Sequence, residues 1–212
     1  MLKLQNIRVE HADKRILDGI DLSINPGDKV WLHGPSGSGK STLLKVLFCA
    51  EYFTGRVLFH NQPVGAAGLV DYRSHLGFIS QRIPDFDQTA EEVLHHPFHF
   101  RANRHRAFPL KRSRELLEEM RFDPQILGQR FTDLSGGEKQ RLMVLVLLLI
   151  DRPVFLLDEV TAALDPRNID TVVRLLTSSP DHTVVAVSHN TEWQAHANRS
   201  LVMESGRLRE VG

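Results

Sequence analysis

Gly34-Pro35-Ser36-Gly37-Ser38-Gly39-Lys40-Ser41-Thr42 is the stretch on which the reading of the whole chain turns. Its glycines let successive backbone N–H groups converge on one point, and at a helix N-terminus such a turn is a concave anion site. The pattern G-x-x-x-x-G-K-[ST] is that of a phosphate-binding loop, in which Lys40 reaches the β and γ phosphates and the Ser41 hydroxyl binds Mg²⁺. A plain glycine-rich turn is the competing reading. It is disfavoured because residues 29–33 before the loop read as a strand and residues 41–49 after it as an apolar helix, the context the loop requires.

Working outward, residues 4–10 and 22–24 are further strand candidates, and Asn25-Pro26-Gly27-Asp28 carries turn chemistry. Residues 57–59 and 76–80 are short strands. From about 84 to 131 the chain turns polar, charged and helical, with 112–121 the clearest amphipathic piece. Residues 133–137 break the pattern and a helix follows to Ile150. Residues 154–157 and 183–188 are apolar or β-branched throughout, as central parallel strands covered on both faces are. A helix over 168–177 lies between them, and Glu204-Ser205-Gly206-Arg207 reads as the turn of a terminal hairpin.

This alternation predicts an α/β fold: a P-loop NTPase core with a mostly parallel sheet, an N-terminal antiparallel β portion and an inserted helical subdomain. The expected organisation is one domain over 1–212, with 1–81 and 151–212 as core and about 82–150 as insert. Ligands of such sheets sit beyond the carboxyl ends of the strands.

Composition narrows the partners. Lys plus Arg and Asp plus Glu are 26 each, so no bulk field favours nucleic acid. The basic run Arg101-Ala102-Asn103-Arg104-His105-Arg106 lacks interleaved aromatics and reads as a solvated face. Cys49, the single cysteine, fits a reducing compartment. The first residues show no charged segment followed by an apolar core, so no secretory signal is expected. The longest apolar run, 142–150, is nine residues, against the roughly 20 needed to span a bilayer. Any membrane role is expected to come through a partner.

Two more stretches carry chemistry. Val154-Phe155-Leu156-Leu157-Asp158-Glu159 is an apolar strand ending in two carboxylates. Beside a phosphate loop, Asp158 is expected to hold Mg²⁺, mostly through water, and Glu159 to act as general base on the attacking water. Leu134-Ser135-Gly136-Gly137-Glu138 precedes a helix but follows no strand. Ser135 can both cap that helix and donate to phosphate, which makes a second anion site. One ATP does not need two such sites from one subunit; two facing subunits do, each closing its turn over the other's nucleotide.

The order of these three motifs, with Lys139-Gln140-Arg141 after the second, resembles that of ABC-transporter ATPases over essentially the whole chain. The Leu-Ser-Gly-Gly-Glu signature is not shared with other P-loop enzymes. The resemblance implies ATP and Mg²⁺ as ligands, with Gln81 as the Q-loop glutamine touching Mg²⁺ and the lytic water. It implies His189 as the switch histidine at the γ-phosphate, and Asp165, in Ala163-Leu164-Asp165, as a D-loop residue at the dimer interface. His11 falls where the family usually has an aromatic stacking on adenine, and Val160 replaces a common proline. A second copy in a head-to-tail ATP sandwich and a separate membrane permease are the implied partners. The implied location is the cytoplasmic face of the inner membrane.

Three rival readings fit the sequence less well. A soluble ABC-type ATPase acting on nucleic acid or ribosomes usually has coiled-coil insertions or two cassettes. A regulatory module without hydrolysis conflicts with intact Lys40, Asp158, Glu159 and His189. A nucleotide kinase conflicts with the signature. The compact length resembles small stand-alone ATPases, including those of metal (iron) export, although cargo belongs to the membrane part. His95, His96, His99 and His105 lack cysteine or carboxylate partners at ligand spacing, and Pro97 interrupts their helix, so a metal site there is not expected.

Overall fold

Strand pairing, read from the N-terminus, divides the chain into two sheets joined by helical layers. The computed structural model describes residues 1–12 and 14–211. The first half runs β1 (Leu2–His11), β2 (Lys14–Ile24), β3 (Lys29–His33), α1 (Lys40–Leu47), β4 (Thr54–Phe59), β5 (Gln62–Pro63), α2 (Leu69–Ser74) and β6 (Leu76–Ile79). There follow α3 (Ala90–His95), α4 (Leu110–Glu119), α5 (Gly136–Ile150), β7 (Val154–Asp158), α6 (Pro166–Thr177), β8 (Thr183–Val187), α7 (Glu192–His196), β9 (Arg199–Glu204) and β10 (Arg207–Val211).

Among the described residues, one sheet is antiparallel, ordered β2-β1-β4-β5. The other is ordered β10-β9-β3-β8-β7-β6, with β9, β3, β8, β7 and β6 parallel and β10 an antiparallel edge. Both faces of its central strands are covered, which is why β7 and β8 read as continuous apolar runs. Alternate residues feed two cores. Val154, Leu156, Val185 and Val187 pack with α1 and the antiparallel sheet; Phe155, Leu157, Val184 and Ala186 pack with α5, α6 and the 82–150 segment.

The parallel register decides where chemistry can occur. Leu32 lies beside Val187, Asp158 beside Val187, and Ile79 beside Leu157, so four strands end at one edge. The loops leaving that edge begin at Gly34, Ser80, Glu159 and Ser188.

Three expectations differ in detail. Residues 84–131 are less helical than their composition suggests: α3 and α4 are the α-helices there, separated by turns. Pro97 and Pro124 open short 3₁₀ turns and Pro109 precedes α4, because a proline cannot donate inside a helix. The strand expected over 22–24 extends back to Lys14, paired with β1 through several register shifts that disguise its alternation. The helix after the phosphate loop stops at Leu47, since Cys49 adopts a positive φ of 53°.

Candidate active site at the strand ends

The loop after β3 is shaped by its glycines. A Cβ on Gly34, at φ 136°, would lie 2.2 Å from the Met203 carbonyl oxygen, and one on Gly39, at φ 108°, would lie 2.9 Å from that of Ile16. Gly37 also has a positive φ, 75°, but nothing lies within 4 Å of where its Cβ would be. The loop is thus pinned at both ends and open at its crest. The next amides form the first turn of α1, where no carbonyl inside the helix can satisfy them. Among the described residues, Ser38 Oγ is buried with no hydrogen-bond partner, a donor the fold itself does not use.

Lys40 is buried, and its ammonium donates to the carbonyls of Gly34 (2.9 Å) and Pro35 (2.8 Å). Burial lowers its pKa, opposed by the charges of Glu159 and Asp158. Next to it, Ser41 Oγ donates to Asp158 Oδ1 at 2.9 Å. Burial pushes the Asp158 carboxyl above the ordinary range, and the Ser41 hydrogen bond and the Gln81 backbone pull it back.

Glu159 continues β7 in a left-handed conformation, φ 54°, sparsely populated by residues other than glycine. Its N–H donates to Val187 O at 2.9 Å, and its carboxylate Oε1 lies 3.5 Å from His189 Nε2. Burial raises the Glu159 pKa, with His189 as the main opposing influence. These groups line one cleft of about 340 Å³ that includes Ser36, Gly37, Gly39, Lys40, Ser41, Thr42, Gln81, Glu159 and His189. His11 lines it too, its Nε2 held 3.2 Å from Glu51 Oε1. Pro35 and Ser38 border an adjoining hollow of about 510 Å³ under Ser205 and Gly206.

The cleft suits a magnesium nucleotide. It offers an anion cradle, a desolvated ammonium and the Ser41 hydroxyl, itself hydrogen-bonded to Asp158, while the unused Ser38 hydroxyl lies on the adjoining hollow. Among the described residues no three His, Cys, Asp or Glu side chains converge on a common ligand point. Mg²⁺ has no need of such a cage, since it takes one or two carboxylates and completes its shell from phosphates and water.

The signature residues lie elsewhere. Ser135 is exposed and caps α5 in a reciprocal box: Glu138 N–H donates to Ser135 Oγ (3.3 Å), while Ser135 N–H (2.8 Å) and Oγ (2.7 Å) donate to Glu138 Oε2. Those bonds hold the Glu138 carboxyl below its usual range. Leu134 is buried, and Gly136 and Gly137 face Ala163, where a Cβ on Gly137 would sit 2.9 Å from the Ala163 carbonyl oxygen. Asp165 caps α6, accepting from the Arg167 and Asn168 backbone N–H groups at 3.0 Å each.

Four residues of this neighbourhood escaped sequence reasoning. Gln140 bonds to both ends of the turn after β7; Thr161 and Asn190 bond to each other beside His189; Glu51 orients His11. Of these only Gln140 left a trace, in the run Lys139-Gln140-Arg141 after the signature, which gave no sign of its contacts with the turn after β7. In the histidine stretch His95 stacks on Phe108 (3.7 Å) and His96 meets Phe100 edge-on (5.0 Å). Against the expectation that no carboxylate accompanies them, His95, His96 and His99 line one hollow with Glu91 and Glu92, although no three of the described side chains are placed to hold a metal ion.

Comparison with known proteins gives one consistent result. The family model described as ABC transporter matches residues 17–162. The chain is 34% identical over 216 residues to the mycobactin import ATP-binding/permease protein IrtB of Mycolicibacterium thermoresistibile, covering all of this chain and 37% of that protein. It is 32% identical over 222 residues to the ATP-dependent lipid A-core flippase of Hahella chejuensis, again with 37% of that protein covered. The mitochondrial iron-sulfur clusters transporter ATM1 of Debaryomyces hansenii is 30% identical, with all of this chain and 32% of that protein covered. The chain thus spans about a third of the length of the curated relatives it matches. Among solved structures, a dimeric bacterial ABC transporter cassette superposes with TM-score 0.85 at 28% identity, covering 100% of this chain and 98% of that one. A bacterial Atm1-family ABC exporter with ATP bound gives TM-score 0.86 at 26% identity, covering 99% of this chain and 38% of that one.

Proposed function

The chain belongs to the ABC transporter family, and from that premise we propose that it is an ATP-hydrolysing motor that works as a head-to-tail pair and drives a membrane permease. One observation carries the reading. Lys40, Ser41, Gln81, Glu159 and His189 share a cleft, whereas the capped tip at Ser135 is exposed outside it. A two-fold related copy brings its tip to the first cleft and receives the first copy's tip in return.

In this reading the loop amides and Lys40 hold the β and γ phosphates of ATP, Lys40 exchanging its carbonyl partners for phosphate oxygens. Ser41, Asp158 and Gln81 would hold Mg²⁺, which neutralises phosphate charge when bound. Glu159 orients a water and takes its proton as the oxygen attacks the γ-phosphorus; the bond to the β-phosphate oxygen breaks and ADP leaves. His189 steadies Glu159 from one side and faces the γ-phosphate on the other. Ser135 of the partner copy donates to that same phosphate, so hydrolysis removes what held the pair together. His11 stacks on the adenine, and Asp165 caps α6 at the pair's interface.

The permease side of the reading rests on an apolar groove of about 480 Å³ between the core and the 82–150 segment. Phe48, Phe78, Met143 and Leu147 line it, and the strongly exposed Val70 and half-exposed Phe100 stand at its rim. It begins at β6, the strand that delivers Gln81, so an apolar helix of the permease seated there feels the nucleotide site through one short loop. Among the described residues no helix is long and apolar enough to cross a membrane. In this reading the motor works at the cytoplasmic face of the membrane, held there by a permease proposed to be a separate polypeptide. Relatives named for mycobactin, lipid A core and iron–sulfur clusters share this cassette, which leaves the choice of cargo to the membrane part.

Glu159→Gln tests the motor. It is expected to bind ATP, to lose hydrolysis by at least about a hundredfold, and to run as a dimer on gel filtration only with ATP. Hydrolysis at the wild-type rate overturns the general base. Purification of the tagged chain from its native membrane tests the partner: a separate membrane protein supports it, and a single longer polypeptide carrying this sequence overturns it.

A further inference from the structure

Gln140 lies on α5 five residues beyond Ser135 and is buried, as are only Leu and Val residues elsewhere on that helix. Its Nε2 donates to the Glu159 carbonyl (3.3 Å) and its Oε1 accepts from the Ala163 N–H (3.0 Å). One side chain therefore spans the turn that carries the general base. Glu159 is held at both ends of its own backbone, by Val187 O on its N–H and by Gln140 on its carbonyl. With φ in the left-handed region, those two bonds fix the direction in which its Cα–Cβ bond leaves the backbone, the base from which its carboxylate is aimed.

The same turn is the seat of the signature tip, since Gly137 approaches the Ala163 carbonyl too closely to carry a Cβ. On the other side, Asn190 Nδ2 donates to Thr161 Oγ1 (2.9 Å), which strap the turn to the loop bearing His189. A displacement of the tip at Ser135 thus reaches Glu159 through one helical turn and one side chain. We infer that Gln140 is a positioning residue that ties the aim of Glu159 in one nucleotide site to the seat of the Ser135 tip that serves the other. The inference rests on the paired motor proposed above and adds to it a route by which the two sites sense each other. Glutamine suits the task because it offers a donor and an acceptor together; glutamate lacks the donor and methionine lacks both.

The test uses two variants of the purified chain. Gln140→Met keeps length and volume without either bond, and Gln140→Glu keeps the acceptor but sets a buried carboxylate, which cannot donate when ionised, against the Glu159 carbonyl. Both are expected to lower kcat about tenfold, because a small misplacement of a catalytic group has effects of that order. The KM for ATP should stay within twofold, since no phosphate or base contact is touched. A merely structural role lowers the melting temperature without that split. The Glu159→Gln/Gln140→Met double variant should still dimerise with ATP. Wild-type kcat in either folded variant, or a raised KM with unchanged kcat, overturns the role of Gln140. Failure of Glu159→Gln alone to dimerise with ATP overturns the paired motor instead, so the two failures are told apart.

Discussion

His189 Nε2 stands 3.5 Å from Glu159 Oε1, across the gap between two neighbouring parallel strands. The register that sets Asp158 beside Val187 puts both residues just past the strand ends, so the distance follows from the sheet rather than from either loop. Burial lifts the Glu159 pKa and His189 opposes the lift. The base must be ionised, so hydrolysis is expected to fall with decreasing pH at a value above that of an ordinary glutamate. His189→Ala removes the opposing influence and should move that acid limb further up, besides lowering the plateau rate. A limb left in place by His189→Ala in a pH–rate profile refutes the coupling.

The same shift fixes the sign of a stability effect. A carboxyl with a raised folded-state pKa costs stability once ionised, and the cost vanishes as pH falls below the unfolded value. Glu159→Gln is therefore expected to melt a few degrees higher than wild type at pH 8, where about 1 kcal/mol is worth roughly 2–4 °C in a chain of this size. The gain should shrink as pH is lowered through the raised pKa. Equal melting curves at all pH values would show that burying this charge costs nothing.

Gly34 and Gly37 separate steric need from conformational need. Gly34→Ala drives a Cβ into the Met203 carbonyl at a positive φ, while Gly37→Ala meets the positive φ alone. The expected costs are about 3 kcal/mol for Gly34→Ala and about 1 kcal/mol for Gly37→Ala, read from urea midpoints at constant slope. Equal losses would mean that the loop yields at Met203.

How much of this was legible in the sequence follows from range. Residues 34–42, 154–159 and 134–138 declared themselves because backbone chemistry at a turn or a strand end is written in neighbouring letters. The full length of β2 was hidden because register shifts break its alternation, and the sparse helicity of 84–131 because proline placement outweighs helical composition. Gln140, Asn190 and Glu51 act on partners 19 to 40 positions away, and only the packed chain brings those together.

Glu138 puts a full charge beside the tip. Its carboxylate accepts a hydrogen bond from the Ser135 hydroxyl at 2.7 Å, and the bonds from Ser135 hold its pKa below the usual range. In the closed pair proposed above, that charge would face the partner's γ-phosphate and compete for the hydrogen bond Ser135 would donate. Glu138→Gln, placed in the Glu159→Gln background, should lower the ATP concentration needed for dimerisation several-fold. The gain should fade at high salt, as screened charge effects do. Its cost to helix capping is below about 1 kcal/mol, since a neutral amide oxygen can still accept from Ser135. A pair weakened by Glu138→Gln would place the carboxylate among the contacts that hold the copies together.

His11 reaches the cleft from the end of β1, and Glu51, 40 positions away, fixes its ring through a 3.2 Å contact. Stacking of a base on an aromatic face contributes about 1–3 kcal/mol, and an imidazole offers less face than a phenol or indole. Stacking is made equally in ground and transition states, so its loss appears in KM and not in kcat. His11→Ala should raise the KM for ATP about fivefold or more with kcat within twofold, His11→Trp should lower it, and Glu51→Ala should give a smaller rise by releasing the ring. The order alanine, histidine, tryptophan in falling KM is what stacking demands. A KM indifferent to residue 11 would take the adenine away from this end of the cleft, while Lys40, Glu159 and His189 kept their places at the phosphates.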